Sequence, residues 1–150
     1  MKLRVALVIV AAMAAIVAFR IVLGAPEALA AQQAQTVWDG IYTKEQAERG
    51  GSLFAQKCAS CHGPDLGGGE MAPALTGSEF VWNWNGLSIG DLFERMRVSM
   101  PQDGPRKVSR KQKADILAFI LSANKFPVGK RELASRTEML RQIKFEALEQ

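Results

Sequence analysis

Both cysteines of the chain and its single histidine fall within five consecutive residues, Cys58-Ala59-Ser60-Cys61-His62. Two thiols and an imidazole placed so close together suit four kinds of chemistry. A dithiol of the thioredoxin kind sits in an alternating β-α-β setting, and no such alternation surrounds residue 58. A structural zinc site takes four ligands, mostly Cys and His; three are present, with no second cluster. A plain disulfide between Cys58 and Cys61 leaves His62 and the glycine-rich run Gly63 to Gly69 without a role. Covalent attachment of a c-type haem uses all three residues, because C-x-x-C-H is its attachment motif. Two thioether bonds fix the porphyrin edge and the histidine binds the iron. One helical turn lets both sulfurs reach the vinyl groups while His62 stays on the porphyrin side. Glycine backbone in the following loop can pass close to a flat macrocycle.

Three helices are expected around this motif. Thr43-Lys44-Glu45-Gln46 reads as a capping box, the Thr hydroxyl on the first turn and Gln46 reaching back. The helix it opens runs toward Cys58, with Ala47, Gly50 or Gly51, Phe54 and Cys58 on its apolar face. A mid-helix glycine costs up to about 1 kcal/mol relative to Ala, and close approach of another helix is a reason for one. A second helix spans about Ile89 to Ser99, capped by Ser88 and stopped by Pro101. A third opens at Ser109-Arg110-Lys111-Gln112, again a capping box, and continues to about Ala123. Its apolar residues Ile116, Leu117, Phe119, Ile120 and Leu121 surround most of the circumference, which predicts burial. The aromatic stretch TGSEFVWNWNGL, broken by Asn and Gly, has no sustained period of two. No strand is expected, so the class is all-α.

The termini differ from this middle. Lys2 and Arg4 precede the apolar run Val5 to Phe19, and Ala28-Leu29-Ala30 supplies an A-x-A site, the layout of an export signal over residues 1–30. The alternative is an uncleaved anchor from Val5 to Leu23, with Arg20 snorkelling at the outer interface; only then does a membrane enter. Either reading sends the functional part out of the cytoplasm, to the periplasm. Residues 31–40, rich in Ala and Gln, read as a linker, residues 41–128 as the domain, and residues 129–150 as a charged tail able to form one amphipathic helix. With 48% hydrophobic and 23% charged residues, the chain can build a packed core. Removing residues 1–30 takes away three positive charges and one negative, so +4 becomes +2. That is too little to argue for nucleic acid, and no basic stripe interleaved with aromatics supports it.

The order helix, C-x-x-C-H, loop with Pro, helix, Met-Pro, apolar helix resembles that of class I cytochromes c over about residues 40 to 128. ERGGSLFAQKCASCHGPDLGGG, VSMPQDGP and SRKQKADILAFILSANKFPVG together are similar to the single-haem cytochromes found beside, or fused to, pyrroloquinoline-quinone alcohol dehydrogenases. The resemblance implies a small helical domain wrapped around one covalently attached haem c. It implies that Pro73 offers its carbonyl to the ring of His62, and that Trp84 (or Trp82) lies near a propionate. It implies a crossing of first and last helices, with Gly50 and Phe54 against Leu117 and Phe119. The partners it implies are a quinoprotein dehydrogenase as electron donor and a terminal oxidase or other respiratory acceptor.

For the sixth iron ligand a second histidine is unavailable within the chain, and His/Met ligation suits electron transfer. The candidates beyond the leader are Met71, Met96, Met100 and Met139. Met71 lies nine residues past His62, leaving little chain to wrap the haem edge, and Met139 lies in the tail. Met100 is favoured because Pro101 ends the helix there, freeing its backbone, and because Met-Pro matches the ligand site of the family it resembles; Met96 is the alternative. A six-coordinate iron leaves no substrate site, so the expectation is an electron carrier and not an enzyme. The competing expectation is a haem enzyme or gas sensor whose methionine ligand dissociates. Arg106, Lys107, Arg110, Lys111 and Lys113 form a basic cluster, either a solvated face or a docking patch for an acidic partner.

Overall fold

The structure is a computed structural model, and it describes residues 35–70 and 72–149. The expected leader, the first four residues of the expected linker, and Met71 lie outside the described residues. Among the described residues six helices follow one another: α1 (Lys44–Lys57), α2 (Ala59–His62), α3 (Gly77–Trp84), α4 (Ile89–Ser99), α5 (Arg110–Ala123) and α6 (Thr137–Leu140). A 3-10 turn, Pro105–Lys107, leads into α5. The all-α expectation holds: the described strands are β1 (Gln35–Thr36) and β2 (Ile143–Lys144), two residues each. Among the described residues no helix is long and apolar enough to cross a membrane.

Local capping sets the helix starts. Ser88 and Asp91 form a complete capping box at α4, and Ser109 and Gln112 form another at α5. At α1 the Thr43 hydroxyl accepts from the Gln46 amide, but the reciprocal bond expected from the Gln46 side chain is replaced. Buried Gln46 donates from Nε2 to the Leu133 carbonyl at 3.0 Å and accepts from the Leu133 amide at 2.6 Å. Satisfying two buried backbone groups is worth more than a solvent-exposed cap.

The centre of the fold is the crossing of α1 and α5. An alanine Cβ at Gly50 would stand 1.8 Å from the Asp115 carbonyl oxygen, so the backbones touch there. Phe54 and Phe119 meet beside it with ring centroids 5.4 Å apart. Helix α5 buries Ala114, Ile116, Leu117, Ala118, Ile120 and Leu121, matching its all-round apolar pattern.

Three sequence expectations are corrected. The stretch TGSEFVWNWNGL contains α3, whose Phe80 is buried and whose Val81 and Trp84 pack on the core. Its Gly77 stands at the first helical position, where it weakens the sequence signal without breaking the helix. The expected linker is ordered structure from Gln35 onward: Val37 is fully buried, and Trp38 Nε1 donates to the Glu146 carbonyl at 3.0 Å. The tail is not one helix. It runs irregularly past Leu133, turns once in α6, and pairs β2 in parallel with β1, with Gln35 opposite Ile143. Leu133, Leu140, Ile143 and Phe145 are buried and join the hydrophobic core. Its backbone groups find partners elsewhere: Gly129 donates to the Tyr42 carbonyl, and Phe145 exchanges hydrogen bonds with the turn after α3, at Gly86 and Leu87. These long-range bonds outweigh the local helical pattern.

Candidate haem-attachment site

The site begins where α1 stops. Cys58 closes α1 through its amide, which donates to the Phe54 carbonyl at 2.8 Å. The Cys58 carbonyl then accepts from the amides of Cys61 at 3.1 Å and His62 at 3.0 Å, winding α2 into a single turn. Both thiols are free, Cys58 half-buried and Cys61 exposed. Burial pushes the Cys58 thiol up, the neighbouring Cys61 adds to this, and the Lys113 ammonium opposes it. Gly63, at φ +75°, ends the turn in a conformation that glycine adopts without strain.

His62 is buried, and its Nδ1 lies 2.9 Å from the Pro73 carbonyl oxygen. A carbonyl can only accept, so Nδ1 is the donor, and in the neutral ring that tautomer places the lone pair on Nε2. This is the arrangement in which a ligating imidazole is oriented and made more basic. The glycine-rich loop delivers that carbonyl. The Gly68 amide donates to the His62 carbonyl at 2.9 Å, Gly69 donates to Ala72 at 2.9 Å, and Leu75 donates to Leu66 at 2.8 Å. A Cβ at Gly68 would fall 2.5 Å from the Ala74 nitrogen and 2.7 Å from the Pro73 carbonyl carbon. Among the described residues, the close approach this glycine permits is to the segment carrying Pro73.

The other expected residues stand on separate elements. Met100 is the residue after α4, half-buried and extended at φ −124°, ψ 140°, with its amide on the Met96 carbonyl at 3.1 Å. Met96 packs on the hydrophobic core. Trp84 is half-buried against the core at the end of α3, whereas Trp82 is largely exposed. The structure thus brings Pro73 to His62. It gives neither Trp84 nor Met100 a hydrogen bond to His62 among the described residues. An open groove of about 670 Å³ between residues 35–41 and 127–134 includes none of these residues and is not their site.

One residue of the basic cluster does not face solvent. Lys113, grouped with the surface cations, is buried and donates to the carbonyls of Met96 at 2.9 Å, Arg97 at 3.1 Å and Pro105 at 2.8 Å. Its position four residues before Leu117 and eight before Leu121, on the apolar side of α5, was the available signal.

The donor set fits a c-type haem: two free thiols three residues apart, and an adjacent imidazole held with Nε2 free. A helical domain presenting that set is a cytochrome c domain. Residues 45–120 match the family described as cytochrome C oxidase, cbb3-type, subunit III, and the chain belongs to this family of haem-binding, electron-transferring cytochromes c. Membership implies covalently bound haem c and a class I cytochrome c-like fold. The cytochrome bc1 complex cytochrome c subunit of Corynebacterium efficiens is 33% identical over 95 residues, 60% of this chain and 30% of the relative. Its counterpart in Corynebacterium diphtheriae is 34% identical over 94 residues, 59% and 31% of the two chains. The match therefore spans less than a third of these relatives. Among solved structures, the sulfane dehydrogenase SoxCD from Paracoccus pantotrophus aligns over 80% of this chain and 64% of its own, at 23% identity and TM-score 0.47. That likeness is too slight to bear on function.

Proposed function

We propose that this chain is a single-haem electron carrier of the periplasm, with Cys58 and Cys61 as thioether attachments, His62 as the proximal ligand and Met100 as the sixth. The observation that carries this reading is the Pro73 carbonyl on His62 Nδ1, which leaves the imidazole poised to bind iron through Nε2. Bound haem supplies a one-electron iron couple. The protein's part is to orient the imidazole, bury it, and offer a thioether from the segment after α4. Met100 is preferred to Met96 because Met96 is already packed on the core. Trp84, with an indole N–H available as a donor, is the residue proposed for a propionate. The curated relatives are named as subunits of a respiratory complex, which favours exchange with respiratory-chain proteins. A quinoprotein dehydrogenase as donor is supported by the sequence resemblance. Export is supported by the basic start, apolar run and A-x-A site of residues 1–30.

Intact mass and a reduced-minus-oxidised spectrum of the exported protein test haem number, covalency and leader removal together. Acidified organic solvent should extract no haem from the wild type, and part of it from Cys58→Ser or Cys61→Ser. Extraction from the wild type would sink the attachment. Met100→Ala should abolish the Fe–S(Met) absorption band, lower the potential and open the iron to imidazole. If Met96→Ala does this and Met100→Ala does not, the ligand is Met96.

A further inference from the structure

Lys113 is a buried ammonium on a helix face where an apolar side chain would pack at no electrostatic cost. Burial, and then repulsion from Arg97, pull its pKa down. An ammonium has three N–H donors and no acceptor, and the structure supplies three carbonyls, at 2.9, 3.1 and 2.8 Å. Their identity matters. Met96 and Arg97 lie in the last turn of α4, where carbonyls lack intrahelical partners or share them, and Pro105 opens the 3-10 turn before α5. The chain between these anchors, residues 98–104, contains Met100. One atom of α5 therefore holds both ends of the segment that carries the sixth-ligand candidate. The Met96 carbonyl also accepts from the Met100 amide, so the clamp reaches the backbone of Met100 through one shared oxygen.

We propose that Lys113 is a positioning residue that holds the Met100 segment closed against the haem site, setting how rarely the methionine leaves the iron. This rests on Met100 as the sixth ligand. The function is distinct from general stability because all three acceptors belong to the two anchors of one loop, the one that carries Met100. A less firmly held loop would spend more time open, and an external ligand that binds only the open state gains affinity in proportion to that population.

The test is imidazole titration of the ferric holoprotein, alongside the thermal fading of the Fe–S(Met) band and global unfolding in denaturant. Lys113→Met, which keeps the apolar stem, should bind imidazole at least tenfold more tightly than the wild type and lose the band at a lower temperature. Leu133→Ala, a buried substitution in the tail, should lower the unfolding midpoint while leaving imidazole affinity within twofold. Equal imidazole affinity for Lys113→Met and wild type would overturn the proposal, as would equal tightening by Leu133→Ala. Should Lys113→Met fail to retain haem, Lys113→Gln, which keeps a donor, should show a smaller tightening. Native-state hydrogen exchange of the wild type gives an independent reading. The amides of Met100 and Gly104 should exchange as slowly as those of α5, and exchange at the rate of an open loop would equally overturn it. If Met100→Ala does not open the iron, the ligand assignment has failed. If it does and Lys113→Met behaves as wild type, only the role of Lys113 has failed.

Discussion

Replacing Gly50 by alanine sets two physical effects against each other at the crossing of α1 and α5. In a helix interior alanine is better than glycine by about 1 kcal/mol, so propensity alone predicts a more stable protein. The packing says otherwise. The new Cβ would lie 1.8 Å from the Asp115 carbonyl oxygen, 2.5 Å from its carbon and 3.0 Å from Phe119 Cβ. The first two are backbone of a buried helix, and no rotamer change can move them. Reaching even a bare 3.0 Å from the oxygen requires the helices to part by more than an ångström. A gap of about 0.5–1 Å already forfeits roughly a quarter to a half of the dispersion attraction between facing atoms. Overpacked cores lose about 1–3 kcal/mol, occasionally more, and a backbone collision belongs at the upper end. After the propensity gain is subtracted, Gly50→Ala should lose about 2 kcal/mol. For a domain of this size that is a fall in Tm of roughly 8 °C.

Gly51→Ala is the internal control, because its Cβ would meet only the Phe119 ring, at 3.3 Å, and a ring can tilt. It should change stability by less than about 1 kcal/mol in either direction. Thermal unfolding of the two holoprotein variants, followed by far-UV circular dichroism, decides the matter. If Gly50→Ala matches or exceeds Gly51→Ala in Tm, the reasoning from backbone contact is wrong and helix propensity governs the site.

Two further outcomes follow from charged groups. Hydrogen bonding to Arg97 holds the Glu94 carboxyl down at about 2, against the opposing effect of burial and with help from the Thr137 hydroxyl. A depressed carboxylate stabilises the fold above its unfolded value and loses that contribution as pH falls through its folded one. The Tm gap between wild type and Glu94→Gln should therefore be full at neutral pH, shrink from about pH 4.5 downward and vanish below about 2; a gap independent of pH would contradict it. Of the five cations in the basic cluster, Lys113 is buried and Lys107 pairs with Asp103 at 2.7 Å, leaving Arg106, Arg110 and Lys111 exposed without that partner. Changing those three to glutamine should slow oxidation by an anionic small complex such as ferricyanide and flatten its dependence on salt, since exposed charges act over about 8–10 Å. Identical salt slopes in stopped-flow would make the cluster a solvated face only.

What could be read in the sequence was what neighbouring residues settle among themselves. The attachment motif spans one turn, and the boxes at Ser88 and Ser109 close over three residues. The burial of α5 shows in its own composition. Misreadings arose where distant partners decide. Gln46 leaves its box because Leu133, far along the chain, offers two backbone groups at once. The tail has helical spacing, yet most of it is irregular because Tyr42, Gln46 and Leu87 take up its amides. Lys113 reads as a surface cation until the three carbonyls around it are seen.

The same division separates the two faces of the proposed haem site. On the His62 side, thiols, imidazole and the Pro73 carbonyl come from sixteen consecutive residues, and their geometry is fixed by hydrogen bonds within that stretch. On the Met100 side, α4 is held from without. The tail presses on one flank, where a Cβ at Gly90 would meet the Arg141 nitrogen at 2.6 Å and Thr137 donates to Glu94 at 3.1 Å. Lys113 grips its carboxyl end from α5. Ligand exchange should thus respond to substitutions far away in sequence on the Met100 side and to local ones on the His62 side. An iron held firmly on one face and adjustably on the other can have its potential tuned through the methionine without loosening the covalent attachment.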